Sequence, residues 1–135
     1  MLNCGVEKRN IDIVEIFTPY NYGAFKVEPF GLVHNVANIG WKIHFASGIK
    51  VLYATDTNSI EHVKAKGYDY YFLEANYTEK DIIERIKRKQ ETGEHVYEWE
   101  VLENHLSYER AMDFIYRNIG ANGRYVLLHQ HKDTQ

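Results

Sequence analysis

The pattern of apolar and polar positions predicts that the first half of the chain is mostly antiparallel β structure. Strands are predicted over residues 11–17, 24–28, 32–34 and 41–45, with Trp41, Ile43 and Phe45 on one face of the last of them. Pro29 to Gly31 interrupts the pattern between the second and third segments. Ser47-Gly48 predicts a tight hairpin turn into a strand that covers 50–54.

The second half changes to alternating helices and strands. Asn58 or Ser59 is placed to cap a helix that ends at residue 66, Thr78 and Ser107 are placed to cap two more, and strands are predicted over 68–73 and 124–128. The pattern does not assign residues 92–103. Together the two halves predict one domain over residues 1–135, of the α+β class, with a mixed and mainly antiparallel sheet and helices on one face.

The clearest single stretch covers residues 48–57. Its apolar run, Val51 to Ala54, has the length of a core strand, and the polar residues from Thr55 onward predict a loop. Asp56 therefore follows the end of a buried strand, at a sheet edge where metals and substrates commonly bind. The alternative is an Asx turn or a helix cap in which Asp56 bonds its own backbone.

Two histidines have the same kind of position as Asp56. His34 follows Leu32 and Val33, and His129 follows the predicted last strand. Imidazole and carboxylate groups are usual ligands of zinc, manganese or iron, so the three residues are candidate metal ligands. A polar strand end without any ligand is the alternative for each. His105 precedes the cap residue Ser107 and is either a general acid at a helix N-terminus or incidental to the helix entry.

Composition and charge exclude several classes of protein. The net charge of the 135 residues is −3, so no overall basic field draws nucleic acid to the chain. The single cysteine, Cys4, excludes an internal disulfide and a cysteine-based zinc site. No apolar run has the length of a transmembrane helix or a signal peptide, which favours a cytoplasmic location without membrane association. The basic run over residues 85–89 either contacts phosphates or forms a solvated helix face.

Five segments, in order along the chain, resemble the C-terminal half of metallo-β-lactamase-fold hydrolases, in the branch of ribonuclease Z and bacterial DNA exonuclease-like proteins. They are Val33-His-Asn-Val-Ala-Asn-Ile-Gly-Trp41, Leu52-Tyr-Ala-Thr-Asp-Thr57, Leu73-Glu-Ala-Asn76, Asn104-His-Leu-Ser107 and Leu127-Leu-His129. The resemblance covers residues 25 to 131 and implies half of an αβ/βα sandwich.

The resemblance also implies roles for particular residues. His34 would bind one of two zinc or manganese ions, Asp56 would bridge both, and His129 would bind the other, with His131 as an alternate to His129. His105 resembles the proton donor of the nuclease branch and Glu74 resembles its carboxylate partner. Asp56 and the metals would activate water for attack on a phosphodiester, so the implied substrate is a nucleic acid or another phosphodiester.

The sequence departs from the family in one important respect. None of the seven histidines forms the family's His-x-His-x-Asp-His motif, which lies in the N-terminal half of the fold. Because each metal would then receive one histidine and a shared aspartate, we expect this chain alone to be metal-poor and inactive. Half a sandwich also leaves an apolar sheet face uncovered, which predicts a homodimer or pairing with a separately encoded N-terminal half.

Three interpretations follow from these observations. The chain is a partial metal-dependent hydrolase of the phosphodiesterase or nuclease type, or a non-catalytic module that keeps the fold for dimerisation or partner binding. In the third interpretation it is an unrelated small domain in which His34, Asp56 and His129 are scattered. Convergence of these three residues in space would exclude the third.

Overall fold

A single six-stranded sheet is the centre of the structure, a computed structural model that describes residues 5–130. The strands follow one another across the sheet in chain order and are β1 (Tyr20–Asn21), β2 (Phe25–Gly31), β3 (Ile39–Phe45), β4 (Lys50–Ala54), β5 (Tyr70–Glu74) and β6 (Arg124–Leu128). Three α-helices lie between β5 and β6 in the chain, namely α1 (Glu79–Thr92), α2 (Glu98–Asn104) and α3 (Tyr108–Asn118).

The direction of the strands changes halfway across the sheet. β1 to β4 pair antiparallel through short connections, whereas β4, β5 and β6 pair parallel. Parallel neighbours end at the same edge of a sheet. The residues that follow Ala54, Glu74 and Leu128 therefore meet at one edge, and the candidate site lies there.

One face of the sheet carries the main hydrophobic core. Leu52 and Leu73 project from β4 and β5 on this face and are fully buried against Phe114 and Ile115 of α3. The amphipathic pattern of α3 explains this packing, because its apolar side chains lie on one side of the helix. A smaller cluster packs Ile82 and Ile86 of α1 against Val101 and Leu102 of α2. The two helices are also joined by the buried Glu98, whose carboxylate lies 2.9 Å from the ammonium group of Lys89.

The opposite face of the sheet is open. The strand register aligns Ile43 with Val51 and Tyr53 with Phe72 on this face. A shallow apolar depression of about 420 Å³ lies there, lined by Ile43, Phe45, Ser47, Ile49, Val51, Tyr70 and Phe72. Phe45 and Ile49 are each 40% exposed. The uncovered apolar face predicted from the sequence is thus present and is in contact with water.

Most of the elements predicted for the second half are confirmed. Thr78 and Ser107 cap α1 and α3, since their side-chain oxygens accept hydrogen bonds from the backbone N–H groups of Asp81 and Arg110. Gly93 ends α1 in the left-handed conformation, with φ of 73°. The sequence pattern left α2 unassigned, because its charged and aromatic residues have no clear apolar stripe.

The helix predicted over 59–66 is wrong. The segment consists of turns that bury Ile60, Val63 and Ala65 in the core. The side chain of Asn58, one of the two candidate caps, instead donates to the carbonyl oxygen of Glu103, and the carbonyl oxygen of Ser59 accepts from the Thr57 hydroxyl. Tertiary hydrogen bonds have replaced the local cap.

Two strand predictions in the first half are also wrong. Residues 11–17 form coil and turn, with Ile13 91% exposed, so the alternating pattern there has no face to bury. Residues 32–34 belong to a loop after β2. Conversely, β2 continues through Pro29, whose carbonyl oxygen accepts from the backbone N–H of Phe17 on the side away from β3. Because N–H and C=O groups of one strand residue point the same way, proline costs no bond to β3 here.

The α+β class is confirmed, with three antiparallel and two parallel pairings in the sheet. Cys4 and His131 lie outside the described residues, so the role suggested for His131 is not addressed. Within residues 5–130, no helix has the length and apolar character needed to cross a membrane.

Gly40 provides a test of the packing between β2 and β3. A Cβ atom at Gly40 would lie 2.4 Å from Cζ of the buried Phe30 ring, whereas a Cβ at Gly31 would meet nothing within 4 Å. We expect Gly40→Ala to lower the free energy of unfolding by about 1–3 kcal/mol through overpacking. Gly31→Ala, near the same end of the strand pair, should change it by less than about 0.5 kcal/mol. Urea denaturation measures both, and equal stability of the two variants would contradict the packing.

Candidate metal and catalytic site

The centre of the site is Glu74, the last residue of β5, whose side chain is fully buried. Its Oε2 atom accepts a hydrogen bond of 2.8 Å from the backbone N–H of Thr57. Its Oε1 atom lies 2.5 Å from Nδ1 of His105 and 3.1 Å from Nδ1 of His129. One carboxylate therefore contacts three segments that are far apart in the chain, and both imidazole rings turn the same nitrogen towards it.

Asp56 and His129 follow the ends of β4 and β6, on either side of Glu74 in the sheet. Asp56 Oδ1 lies 3.0 Å from Nδ1 of His129. Both residues adopt left-handed backbone conformations, with φ of 55° and 52° respectively. Residues other than glycine rarely adopt this conformation. Such conformations persist where surrounding structure imposes them, and they are concentrated at functional sites.

Two asparagine side chains hold these strand ends in place. Asn38 Nδ2 donates to the carbonyl oxygens of Thr55 and Asp56, at 2.8 and 2.9 Å, and Asn76 Nδ2 donates to that of His129 at 3.1 Å. Neither asparagine stands out in the sequence as a site residue. Both lie within segments that carried the family resemblance, which was the available signal.

His105 enters the site from the junction between α2 and α3. Its backbone N–H donates to the carbonyl oxygen of Val101 and ends α2, and two residues later Ser107 caps α3. The ring is 4.9 Å from the ring of His129, centroid to centroid, and 3.9 Å separates its Nδ1 from Oδ1 of Asp56. His105 is therefore held at both sides by helix ends, which fixes where its ring can lie.

His34 lies beside this group, in the loop that follows β2. Its ring contacts that of His105 edge to face, with centroids 5.5 Å apart. The closely spaced group of potential ligand atoms, all within 4.8 Å of one another, consists of Asp56, Glu74, His105 and His129. The structure thus brings all five sequence-predicted site residues to one sheet edge, with His34 at its margin. Because His34, Asp56 and His129 converge, the interpretation of a domain with scattered polar residues is wrong.

Burial controls the electrostatics of the pair formed by Glu74 and His105. Burial raises the pKa of Glu74 to about 7 from 4.5; the Asp56 charge adds to this rise, while the Thr57 N–H and His129 oppose it. Burial also lowers the pKa of His105 below its usual value, and the Asp56 charge opposes this change. Burial therefore acts against charge on either member of this hydrogen-bonded pair.

The side chains present have the chemistry of a site for divalent cations. Two imidazoles and two carboxylates are ligand types that suit zinc and manganese. Both oxygens of Glu74 already accept hydrogen bonds, which is the arrangement of a carboxylate that orients histidine ligands from behind. Asp56 and His129, which are about half exposed, are the members of the group that an ion can reach.

A cleft of about 330 Å³ opens beside the two histidines. It runs between the end of β6 and α2 and is lined by Asn76, Tyr97, Val101, His105, His129 and Gln130. A group bound in this cleft would contact both imidazole rings. The size is within the range of small-molecule sites, and amide and aromatic side chains line the remainder of the wall.

Comparison with known proteins identifies the fold. The sequence matches no protein-family model and no curated protein sequence. Two solved structures are similar: the metallo-β-lactamase-fold protein YhfI from Bacillus subtilis, with a TM-score of 0.60 and 15% identity over 87% of this chain, and human tRNase Z, short form (ELAC1), with a TM-score of 0.57 and 17% identity over 84%.

The alignment spans only 41% of YhfI and 39% of the human tRNase Z, so the chain corresponds to less than half the length of either protein. The mixed six-stranded sheet and its helices agree with the half-sandwich that the sequence predicted. This chain therefore has the fold of one part of the metallo-β-lactamase-fold proteins.

Proposed function

We propose that the chain is the part of a metal-dependent phosphodiester hydrolase, of the nuclease type, that supplies the proton donor and some of the metal ligands. The observation that carries this proposal is the convergence of Asp56, Glu74, His105 and His129, with ligand atoms within 4.8 Å of one another, at one edge of a metallo-β-lactamase-type sheet. The similarity to a tRNase Z supports a nucleic acid as substrate.

Asp56 and His129 would hold the metal ions together with His34. Bound zinc or manganese would supply an activated water and would neutralise charge on the phosphate. Asp56 would be the ligand common to both ions, because its carboxylate has two oxygens and is about half exposed. His34 would complete one ion from the neighbouring loop, as its ring already lies against that of His105.

His105 and Glu74 act as a unit in this proposal. The Glu74 carboxylate accepts a hydrogen bond from Nδ1–H of His105, and this bond orients the imidazole ring. The other ring nitrogen, Nε2, is then the atom that can give a proton to a leaving oxygen. The Glu74 carboxylate at Nδ1 would favour the imidazolium form of His105, which gives up its Nε2 proton and becomes neutral while Nδ1 keeps its own. His105 also lines the cleft, so the leaving part of a substrate bound there would lie within its reach.

The site requires a second half of the fold. His34, Asp56 and His129 give each of two ions too few protein ligands for tight binding. The open apolar face of the sheet provides the surface on which a complementary half, bearing His-x-His-x-Asp-His, would pack. Without that half, we propose that the chain binds metal weakly, has little activity and forms a homodimer through this face.

A second candidate function is a non-catalytic module for dimerisation or partner binding. The open sheet face favours it as well, because the face needs a partner whether or not chemistry occurs. The two proposals share this surface and differ in the use of the site. The cytoplasmic location stays a prediction from the sequence.

Activity with a supplied N-terminal half tests the catalytic proposal. We expect negligible cleavage of RNA or DNA by the chain alone in the presence of manganese, because ligands are missing. Adding an N-terminal half that carries His-x-His-x-Asp-His should restore cleavage. If the assembled protein binds metal but cleaves neither nucleic acid, the non-catalytic module is favoured. Near-stoichiometric zinc on the isolated chain would contradict the prediction of an incomplete site.

A leaving-group comparison tests the role of His105. In the assembled protein, His105→Ala should lower kcat by about 10²- to 10⁴-fold on a nucleic acid, whose alkoxide leaving group needs a proton. The loss should be much smaller on a p-nitrophenyl phosphodiester, because nitrophenolate leaves without protonation. His95→Ala, an exposed histidine between α1 and α2, is the matched control and should affect neither substrate. Equal losses on the two substrates would exclude a proton donor.

Association through the open face is testable on the isolated chain. Ile49 lines the depression and is 40% exposed, so Ile49→Glu should shift the chain from dimer to monomer in sedimentation equilibrium. The carboxylate would have to lose its water at the interface. Tyr116→Glu is the control, since Tyr116 is 70% exposed on α3. A wild-type chain that remains monomeric at high concentration would contradict the homodimer.

A further inference from the structure

We propose that Asn104 is a positioning residue that holds the loop of His34 against His105. Asn104 is the last residue of α2 and immediately precedes His105. Its Oδ1 atom accepts a 3.0 Å hydrogen bond from the backbone N–H of Asn35, the residue after His34. The inference rests on the proposed function only in assigning His34 a role in metal binding.

The same side chain also binds its own helix. Asn104 Nδ2 donates to the carbonyl oxygen of Glu100, one turn earlier in α2, at 2.8 Å, which holds the amide against the last turn of the helix. The side chain of Asn104 thus accepts a hydrogen bond from the loop and donates another to the helix. An asparagine amide can do both, because it is short and carries an acceptor and a donor. The planar amide therefore links the end of α2 rigidly to the His34 loop.

A second contact fixes the end of α2 to the loop of Asp56. Asn58 Nδ2 donates to the carbonyl oxygen of Glu103 at 2.7 Å, and the backbone N–H of Asn58 donates to the carbonyl oxygen of Val33 at 2.8 Å. The loops that carry His34 and Asp56 thus share one anchor. Asn104 extends that anchor past Val33 to the exposed backbone that follows His34.

The geometry explains what the contact with Asn35 does for His34. The loop residues 35–37 are exposed, so little packing restrains them. The hydrogen bond from Asn35 to Asn104 restrains the backbone directly after His34. Because Asn104 precedes His105 in the chain, this bond also holds the His34 ring near the His105 ring, with the centroids 5.5 Å apart. Without the hydrogen bond from Asn35 to Asn104, the two ends of the His34 loop would stay in place, but His34 would no longer be held next to His105.

The chain offers a matched control for the helix-ending part of this role. Asn118 is the last residue of α3, and its Nδ2 donates to the carbonyl oxygen of Phe114, four residues earlier, at 2.8 Å. The backbone of Asn118 contacts Gly67 and Tyr71, before and within β5, which is away from the site edge. Asn104→Ala and Asn118→Ala therefore remove the same type of helix-terminal bond, and only the first also removes the bond to Asn35.

The experiment uses the full chain with histidine rings labelled for NMR. In the wild-type protein, ring protons of His34 and His105 should show a cross-ring nuclear Overhauser effect. Asn104→Ala should abolish it and shift the His34 ring signals, whereas Asn118→Ala should lower the melting temperature similarly and leave both unchanged.

A zinc titration provides a second measurement, with the metal alone as the probe. Asn104→Ala should weaken zinc binding by about 10- to 100-fold, the usual effect of losing a residue that orients ligands, and Asn118→Ala should not. Retention of the His34–His105 signal in Asn104→Ala, or an equal disturbance in Asn118→Ala, would each overturn the proposal. Zinc binding too weak to measure on the wild-type chain would agree with the incomplete ligand set of the proposed function, and the ring contact, which is measured without metal, would then decide the role of Asn104.

Discussion

A single buried carboxylate connects the parts of this structure that the chain keeps far apart. Glu74 ends β5 and has no exposure to water, and its two oxygens accept from the loop after β4, the residue after β6 and the junction of α2 with α3. Burying a carboxylate is costly unless hydrogen bonds replace its water. The closeness of the three segments and the burial of Glu74 therefore depend on each other, so the site is also part of the structural core.

The parallel half of the sheet is what makes this arrangement available. β4, β5 and β6 run the same way, so the residues after their carboxyl ends meet at one edge. Asp56 and His129 then turn sharply in left-handed conformations that bring both side chains back over Glu74. Asn38 and Asn76 bind the carbonyl groups at these turns, which shows that neighbouring side chains support the unusual backbone.

The two faces of the sheet have different consequences for function. The face under α3 is filled and gives the chain a core of its own. The other face is apolar and open, and its strands β3 and β4 lead directly to the loops of His34 and Asp56. A partner that covered this face would stabilise the sheet and come close to these loops. Under the proposed function, the same partner would also supply the missing metal ligands.

The sequence by itself determined the local features of the protein. Alternation predicted β3, the capping residues predicted α1 and α3, and apolar runs that end on Asp56 and His129 indicated where loops begin. These predictions succeeded because each depends on neighbours within a few residues. The capping signal at Asn58 failed for the complementary reason, since its side chain bonds to Glu103, 45 residues away.

Only the tertiary structure decided how these features combine. The family resemblance implied that Glu74 is the partner of His105, but the sequence could not show that Glu74 also contacts His129, because that distance depends on the pairing of β5 with β6. The roles of Asn38, Asn76 and Asn104 could not be predicted for the same reason. The sequence does not show whether the side chain of an asparagine has a distant hydrogen-bond partner. Local propensity selects elements, whereas long-range hydrogen bonds and burial select which polar side chains meet at the site.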